Sequence, residues 1–237
     1  MFLVQSAVSN LSILRDHSIF GQLPGAAIER LSSHLRTRKV RRGATIFAKG
    51  EPGTALMAVI SGCVRICVTS PNGRETVLNL IGEGEIFGEV ALLDGHSRTA
   101  DAVAISDCEL MVIDRRDFIP FLRDNPEVAI KLIEVLCARL RRTSQQVEDV
   151  MSLNLPARLA KMVLRLAQEA SASSQGKISV TQREIGQMIG MSRESINKQL
   201  QSWARANWVR LERGSIELLQ PGPLADLARN GLEPELA

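Results

Sequence analysis

Residues 178–220 constrain what this chain can fold into more than any other segment. Thr181 and Glu184 have the spacing of a capping box, in which each side chain bonds the other residue's backbone N–H, so a helix is expected to begin directly after Thr181. Gly190 suits the end of that helix, and Ser192 suits the N-cap of a second helix after a very short turn. The segment therefore predicts two short helices in close succession.

The second of these helices has one apolar face and one polar face. Its apolar side chains recur at helical spacing and are expected to face a core: Ile196, Leu200 and Trp203. The opposite face carries side chains that suit base edges and phosphates: Arg193, Glu194, Asn197, Lys198 and Gln201. Downstream, NWVRLERGSIELLQ predicts a hairpin that turns at Arg213-Gly214. These elements indicate a winged helix-turn-helix that binds DNA, and a helix pair with a merely solvated polar face is the alternative.

Between about residue 38 and residue 114 the pattern is different. Short apolar alternations are separated by Gly, Pro, Asn and Asp, which predicts an antiparallel β region with close-set turns. The clearest turn is Pro71-Asn72-Gly73, because Asn and Gly tolerate the positive φ of a tight hairpin. Ahead of this region, residues 2–36 are expected to form helical turns, with a second piece that opens at Pro24-Gly25.

Residues 126–151 predict one long helix that begins at Pro126. Six residues in it recur in alternating steps of three and four, as in the a/d seam of a coiled coil: Ile133, Leu136, Leu140, Thr143, Val147 and Val150. Much of the remaining surface is charged or polar, including Arg139, and is expected to be solvated. The seam indicates a parallel homodimer, and packing on the chain's own β region is the alternative.

The helical pattern breaks just before Asn154, which is expected to cap a new helix over about 155–170. This break predicts a hinge. The chain is accordingly divided into a sensor domain over 1–125, a dimerisation helix with the hinge over 126–153, and a DNA-binding domain over 154–237.

Composition narrows the function classes only slightly. The net charge of +3 is too small to indicate a nucleic-acid partner by itself. No stretch approaches the roughly 20 apolar residues of a membrane span, and the amino terminus lacks the features of a secretion signal, so a cytoplasmic protein is expected. The four cysteines form no Cys-x-x-Cys motif and are interpreted as buried or half-buried thiols rather than metal ligands or disulfides: Cys63, Cys67, Cys108 and Cys137.

Over nearly its whole length the chain resembles the CRP–FNR family of transcription regulators. EIGQMIGMSRESINKQL is similar to that family's helix-turn-helix, and KGEPGTALMAVISGCVRI and GEIFGEVALLDGHSRTA are similar to its cyclic-nucleotide-binding roll. ARLRRTSQQVEDVMSLNLPARLA is similar to its dimer helix and hinge. The resemblance, closest to the cyclic AMP receptor branch, implies an α+β fold with an N-terminal double-stranded, jelly-roll-like β-roll, a long dimerisation helix and a C-terminal winged helix-turn-helix.

The segment from Gly84 to Ala100 suits a cyclic nucleotide, because a buried phosphate needs a cation and several N–H donors. Arg98 supplies the cation, and a short helix that opens near Gly88 aims its N–H groups at the phosphate. The resemblance assigns Glu89 to the ribose 2′-hydroxyl. The Arg-Thr-Ala run leaves both cAMP and cGMP open as ligand. A regulator of this family that responds to no nucleotide is a further alternative, and the presence of Glu89, Arg98, Thr143 and Ser144 opposes it. The predicted ligand contacts in this segment are Gly88, Glu89, Val90, Ala91, Arg98 and Thr99.

Thr143 and Ser144 complete the predicted ligand site. By resemblance they contact the nucleotide base, one from each protomer, although Thr143 is also a tolerable β-branched residue on any helix. A shared base would clamp the two long helices in one packing. The hinge near Asn154 would then re-orient the recognition helices.

The resemblance also assigns base reading to Arg193, Glu194 and Lys198. Lys198 keeps the charge but lacks the two-pronged fork of the Arg found there in the enterobacterial cyclic AMP receptor. A TGTGA-like half-site in a pseudo-palindrome is expected, together with RNA polymerase as a protein partner. The full predicted DNA-binding set is Thr181, Gln182, Arg183, Ser192, Arg193, Glu194, Ser195, Asn197 and Lys198.

Several alternatives are weighed against this interpretation. An iron–sulfur sensor needs an amino-terminal cysteine cluster, and residues 1–60 contain no cysteine. His96 suits a polar loop better than a haem ligand. The basic run over 36–42 suits a solvated strand edge, with DNA backbone or RNA polymerase contact as the alternative.

Two other functions are possible in principle. Glu85 and Glu89 near Arg98 have neither a nucleophile–base pair nor a metal cluster beside them, so an enzyme is not expected. A cyclic-nucleotide sensor that regulates a protein partner without binding DNA is the remaining alternative, and the helix-turn-helix opposes it.

Overall fold

The computed structural model describes residues 14–15, 17, 19–21, 23–71, 73, 75–170, 177–178, 180–212 and 214–230. Its elements follow in chain order: α1 (Gly25–Ser33), β1 (Arg36–Val40), β2 (Thr45–Phe47), β3 (Ala55–Ser61), β4 (Val64–Thr69), β5 (Glu75–Ile81), β6 (Ile86–Phe87), α2 (Glu89–Asp94), β7 (Asp101–Ala104), β8 (Cys108–Asp114), α3 (Arg115–Asp124), α4 (Pro126–Ser152), α5 (Leu155–Ala170), β9 (Lys177–Ile178), α6 (Gln182–Ile189), α7 (Arg193–Arg205), β10 (Val209–Glu212), β11 (Ser215–Leu218) and α8 (Pro221–Asn230).

Contacts between residues divide the chain into two compact units. The first comprises residues up to 70 together with 78–140, and the second comprises residues 71–77 together with those from 141 onward. The long helix α4 therefore begins in the first unit and ends in the second.

The first unit is a β-roll, as the resemblance implied. Its strands, with β5 counted only from Leu78 onward, form two four-stranded sheets in the orders β1-β8-β3-β6 and β2-β7-β4-β5. The described pairs are antiparallel, with Met57 of β3 opposite Val112 of β8. One apolar cluster fills the roll and includes Phe47, Phe87 and Leu110. β4 and β5 are neighbours in their sheet, as the predicted hairpin requires, and Asn72 at the centre of the predicted turn lies outside the described residues.

A second apolar cluster of this unit is built by the helices that flank the roll. It joins buried side chains of α1, α3 and the start of α4 to those of β3 and β8: Leu31, Phe118, Leu132, Leu56 and Met111 are members. The expected helix opening at Pro24-Gly25 is confirmed, because α1 begins at Gly25 with Pro24 as its N-cap. The earlier helical turns expected from residue 2 fall largely outside the described residues.

The second unit contains the helix-turn-helix and its wing. The capping box between Thr181 and Glu184 is present, α6 ends at Gly190 with φ of 71°, and the Ser192 side chain accepts a hydrogen bond from the Ser195 N–H at 3.1 Å. Strands β10 and β11 form the wing hairpin, with β9 added on the far side of β11. The three apolar residues of α7 that were expected in a core are fully buried: Ile196, Leu200 and Trp203.

The break between the two long helices is also where the sequence placed it. α4 is continuous to Ser152, and α5 begins at Leu155. Asn154 Oδ1 accepts a hydrogen bond from the Ala157 N–H at 3.0 Å, which confirms Asn154 as the cap of α5.

Two further findings concern single features. The cysteines are free thiols, but the expectation that all are at least half-buried is wrong for Cys137, because its position on α4 leaves it exposed. Among the described residues, no helix combines the length and the apolar character needed to cross a membrane.

Candidate ligand site and DNA-binding surface

The short helix α2 opens at a glycine that no other residue replaces without strain. Gly88 is its N-cap with φ of 82°, in the left-handed region that favours glycine. A Cβ added to Gly88 would lie 2.6 Å from Arg98 Nη1 and 3.2 Å from the Ala55 carbonyl oxygen. Close approach of the Arg98 guanidinium to this turn therefore also requires glycine.

Arg98 is a buried cation held by the backbone. Its Nη1 donates to the Gly88 carbonyl oxygen and its Nη2 to the Ala55 carbonyl oxygen, both at 2.7 Å. Its guanidinium carbon lies 4.2 Å from the centre of the Phe47 ring. Burial lowers the pKa of Arg98 from its usual value, and the nearby carboxylates of Glu89 and Glu51 oppose that shift. The site thus holds a desolvated positive charge beside the start of α2, where backbone N–H groups have no partner within the helix.

Glu89, the first residue of α2, is almost completely buried, with 2% of its surface exposed. Its carboxylate accepts a hydrogen bond from Arg139 Nη1, and Arg139 Nη2 donates to the Ile86 carbonyl oxygen. The expectation that Arg139 belongs to the solvated surface of α4 is therefore wrong. A buried carboxylate needs a countercharge, and no pattern in the sequence identified Arg139 as the residue that supplies it.

The other predicted ligand contacts differ from one another in burial. Ala91 is buried, whereas Val90 and Thr99 are exposed at the surface of the first unit. Thr143 and Ser144 lie on α4 within the second unit, and both side chains are exposed. His96 is 81% exposed in the loop after α2, with its Nδ1 3.5 Å from Asp94.

The polar face of α7 is open to solvent. Arg193, Glu194, Asn197 and Lys198 are exposed, opposite the buried face of the same helix. A groove of about 470 Å³ runs from the start of α6 past Arg193 to the wing residues Glu212 and Gly214. The Oγ atoms of Ser195 and Ser192 lie 2.9 Å apart. Gln182 and Arg183 lie in the first turn of α6, and the side chain of Arg183 is outside the described residues.

The heptad seam of α4 is largely exposed in the single chain. Ile133, Leu140, Val147 and Val150 are each more than half exposed, Thr143 is exposed, and Leu136 is half-buried. Ile130 and Met151, which the seam pattern omitted, are also more than half exposed and lie on the adjoining stripe of the helix. The exposed apolar surface is therefore wider than the sequence indicated.

The basic run over 36–42 forms the edge strand β1 and the turn after it. β1 pairs only with β8 in its sheet, and four of its five side chains are exposed. Arg36 Nη2 lies 2.5 Å from Asp114 Oδ1, and Arg38 Nη1 donates to the Ile46 carbonyl oxygen at 3.2 Å. The run therefore forms an exposed strand edge, as expected, and contact with DNA backbone or RNA polymerase stays the alternative.

Comparison with known proteins matches both halves of the chain. A family model of the cyclic nucleotide-binding domain matches residues 37–125, and one of the Crp-like helix-turn-helix domain matches residues 157–227. The chain is 38% identical over 221 residues to a CRP-like cAMP-activated global transcriptional regulator of Mycobacterium tuberculosis, over 92% of this chain and 99% of that protein. It is 31% identical over 215 residues to the cyclic AMP receptor protein of Thermus thermophilus, over 91% and 98% respectively.

Solved structures agree with these matches. The catabolite activator protein of Thermus thermophilus is 31% identical, with a TM-score of 0.52, over 90% of this chain and 99% of that one. A CRP/FNR-family transcriptional regulator of the same species is 26% identical, with a TM-score of 0.69, over 83% and 100%. A cyclic-nucleotide-binding β-roll followed by a helix-turn-helix defines a ligand-responsive DNA-binding protein. The chain belongs to the CRP–FNR family of transcription regulators.

Proposed function

We propose that this chain is a cytoplasmic homodimer that binds a cyclic nucleotide in its β-roll and, in response, binds a pseudo-palindromic DNA site with TGTGA-like half-sites. The observation that carries the proposal is the buried Arg98 guanidinium at the opening of α2, directly beside Gly88, whose positive φ and close contact with that guanidinium both require glycine. The Mycobacterium tuberculosis and Thermus thermophilus relatives, named for cAMP, support the same ligand class.

The proposed phosphate contacts are Arg98 and the N–H groups at the start of α2, at Glu89, Val90 and Ala91. A cyclic phosphate carries one negative charge, and a buried cation with several N–H donors compensates it where water cannot. Glu89 accepts from the ribose 2′-hydroxyl while the ion pair with Arg139 holds that carboxylate in place. Arg139 is therefore added to the predicted site.

cAMP is the first candidate ligand and cGMP the second. The exposed hydroxyl of Thr99, directly after Arg98, favours keeping cGMP in the test, because a hydroxyl at this position can bond a guanine. Thr143 and Ser144 are proposed to contact the base from the two protomers of a dimer that buries the seam of α4.

On the DNA side, Arg193, Glu194 and Lys198 are proposed to contact base edges, and the remaining members of the predicted set to position the helix on the backbone. The start of α6 and the wing flank the groove beside Arg193, which suits a phosphate backbone. RNA polymerase is the proposed protein partner, and regulation rather than catalysis is the proposed activity.

Titration calorimetry with cAMP and with cGMP tests the ligand. Binding of either nucleotide by the wild-type chain and its loss in Arg98→Ala are expected, with Arg116→Ala, an 82% exposed arginine, as the matched control. Absence of heat with both nucleotides overturns the ligand assignment. Electrophoretic retention of a TGTGA-containing palindrome, tested separately with and without nucleotide, decides the DNA-binding half.

A further inference from the structure

The junction between α4 and α5 contains an ion pair that spans the hinge. Only Leu153 and Asn154 separate the two helices. Lys161 Nζ, two turns into α5, lies 2.6 Å from Asp149 Oδ1, in the last turn of α4. The Asp149 side chain is 20% exposed, so the pair is partly withdrawn from solvent.

Asp149 is held in place by more than Lys161. Gln145 Nε2, one turn earlier on α4, donates to Asp149 Oδ1 at 3.1 Å. The Asp149 carbonyl oxygen also accepts from the Leu153 N–H at 3.0 Å, which closes the last turn of α4. The carboxylate therefore has a defined position at the end of the helix before Lys161 reaches it.

A two-residue connection leaves the angle between successive helices to side-chain contacts, because a few terminal residues absorb large φ/ψ changes at low cost. Within the second unit the buried face of α5 joins the core of the helix-turn-helix through Leu159 and Val163. Any contact that fixes α5 relative to the end of α4 consequently fixes the orientation of the recognition helix on α4.

We propose that Asp149 and Lys161 are positioning residues that set the orientation of the DNA-binding domain on the dimerisation helix, and so determine how strongly nucleotide binding changes DNA affinity. The inference rests on the proposed function for its regulatory consequence, but the orientation itself does not depend on which ligand the roll binds.

The regulatory consequence is tested with full-length chain on the TGTGA palindrome. The ratio of DNA affinities with and without nucleotide is measured for the wild type, Asp149→Asn, Lys161→Met and the double variant. Each single variant is expected to change the ratio by roughly two- to tenfold, the double variant no further, and the exchanged pair Asp149→Lys with Lys161→Asp to restore it. Lys131→Met is the matched control, because Lys131 also makes an ion pair on α4, at 2.9 Å from Glu134, but within one helix.

Ratios equal to wild type in both single variants, or effects that simply add, overturn the proposal. A wild-type chain that binds DNA without any response to cAMP or cGMP would instead overturn the proposed function. For that case a measurement without nucleotide decides the present inference.

This second measurement is a distance distribution between spin labels at Arg141→Cys on α4 and Gln201→Cys on α7, with Cys63 and Cys137 replaced by Ser. Labelled chain is diluted with unlabelled chain so that each dimer carries one labelled protomer. A narrow distribution that broadens or shifts in Lys161→Met is expected, and Lys131→Met should leave it unchanged. An identical distribution in the parent and Lys161→Met overturns the positioning role.

Discussion

The proposed ligand site of the first unit and α7 of the second, the proposed recognition helix, both present charged side chains, but these side chains differ in burial and in their partners. Arg98 and Glu89 are buried and bonded to backbone carbonyls or to another charge. Arg193 and Lys198 are exposed, and neither makes a side-chain hydrogen bond to another described residue. In the first unit the side chains proposed to bind the ligand are therefore also part of the folded core, whereas in α7 the buried face and the face proposed to read DNA are separate.

This difference has an energetic consequence. Removing a buried charged side chain leaves the buried groups that it was hydrogen-bonded to without partners, which costs several kcal/mol. Replacing an exposed polar side chain usually changes stability by no more than about 0.5 kcal/mol. Substitutions in the proposed ligand site should thus change both ligand affinity and the free energy of unfolding. Substitutions on the exposed face of α7 should change DNA affinity and leave the free energy of unfolding nearly unchanged.

The largest effect is expected at Arg98. Arg98→Ala removes the donors to the Gly88 and Ala55 carbonyl oxygens, so the free energy of unfolding should fall by about 3 kcal/mol and nucleotide affinity by more than about 100-fold. Chemical denaturation and calorimetry measure the two quantities. Arg98→Lys keeps the positive charge but not the forked guanidinium, so its stability and nucleotide affinity should lie between those of the wild type and Arg98→Ala. Unchanged stability in Arg98→Ala would show that the buried charges of the first unit do not contribute to the fold more than the exposed charges of α7 do.

A second effect concerns His17, a buried group of the first unit that forms no ion pair with another described residue. Burial lowers its pKa to about 4, and its Nε2 has no hydrogen-bond partner among the described residues. Because the folded pKa lies below the unfolded value of about 6.5, stability is fully present above pH 6.5 and is lost as the pH falls towards 4, by up to about 3 kcal/mol.

Unfolding followed at pH 7 and at pH 4.5 checks this shift. His17→Phe, which keeps a ring beside Phe20, should lose most of the pH dependence, and His96→Ala, an exposed loop residue, should retain it. Equal pH dependence in wild type and His17→Phe would show that His17 does not carry this loss of stability.

The next effect belongs to the exposed face of α7. Lys198→Ala should lower affinity for the TGTGA palindrome by roughly 5- to 150-fold, the equivalent of about 1–3 kcal/mol, because a base contact is lost. Its stability should stay within about 0.5 kcal/mol of wild type. Fluorescence anisotropy measures the DNA affinity and thermal unfolding measures the stability. Arg229→Ala, at a 71% exposed residue of α8 outside the predicted DNA-binding set, is the control. A stability loss as large as that of Arg98→Ala would contradict the separation of faces.

The smallest effect is expected at the cap of α6. Thr181→Ala removes the acceptor for the Glu184 N–H and should lower the free energy of unfolding by about 1 kcal/mol. Thr181→Ser, which keeps the hydroxyl, should recover most of it in the same denaturation experiment. If Thr181→Ser is as unstable as Thr181→Ala, the methyl group of Thr181 rather than its capping hydroxyl accounts for the stability.

Local features were predictable from the sequence because they depend on neighbours in the chain. The capping box, the Gly190 terminus and the Ser192 cap involve residues no more than five positions apart, and all three are present. The same holds for the continuous α4 and the Asn154 cap. Burial of Ile196, Leu200 and Trp203 follows from helical periodicity alone.

Two features of α4 show the limits of periodicity. Spacing marked the seam but not the exposed Ile130 and Met151 beside it, because a strict step of three and four selects only one stripe of the helix. Periodicity also led to the expectation that Arg139 is solvated. A helical pattern predicts which residues share a face, but it does not predict which other part of the molecule packs against that face.

What the sequence alone determined is the order of the elements, the helix ends and the Gly88–Arg98 segment, since each depends on residue type and short spacing. Only the tertiary structure decided the partners of the buried charges. Arg98 donates to a carbonyl 43 positions away, and Glu89 meets an arginine 50 positions away. The physical reason is that a charge withdrawn from water must be compensated wherever folding places a partner, and no local pattern states where that is.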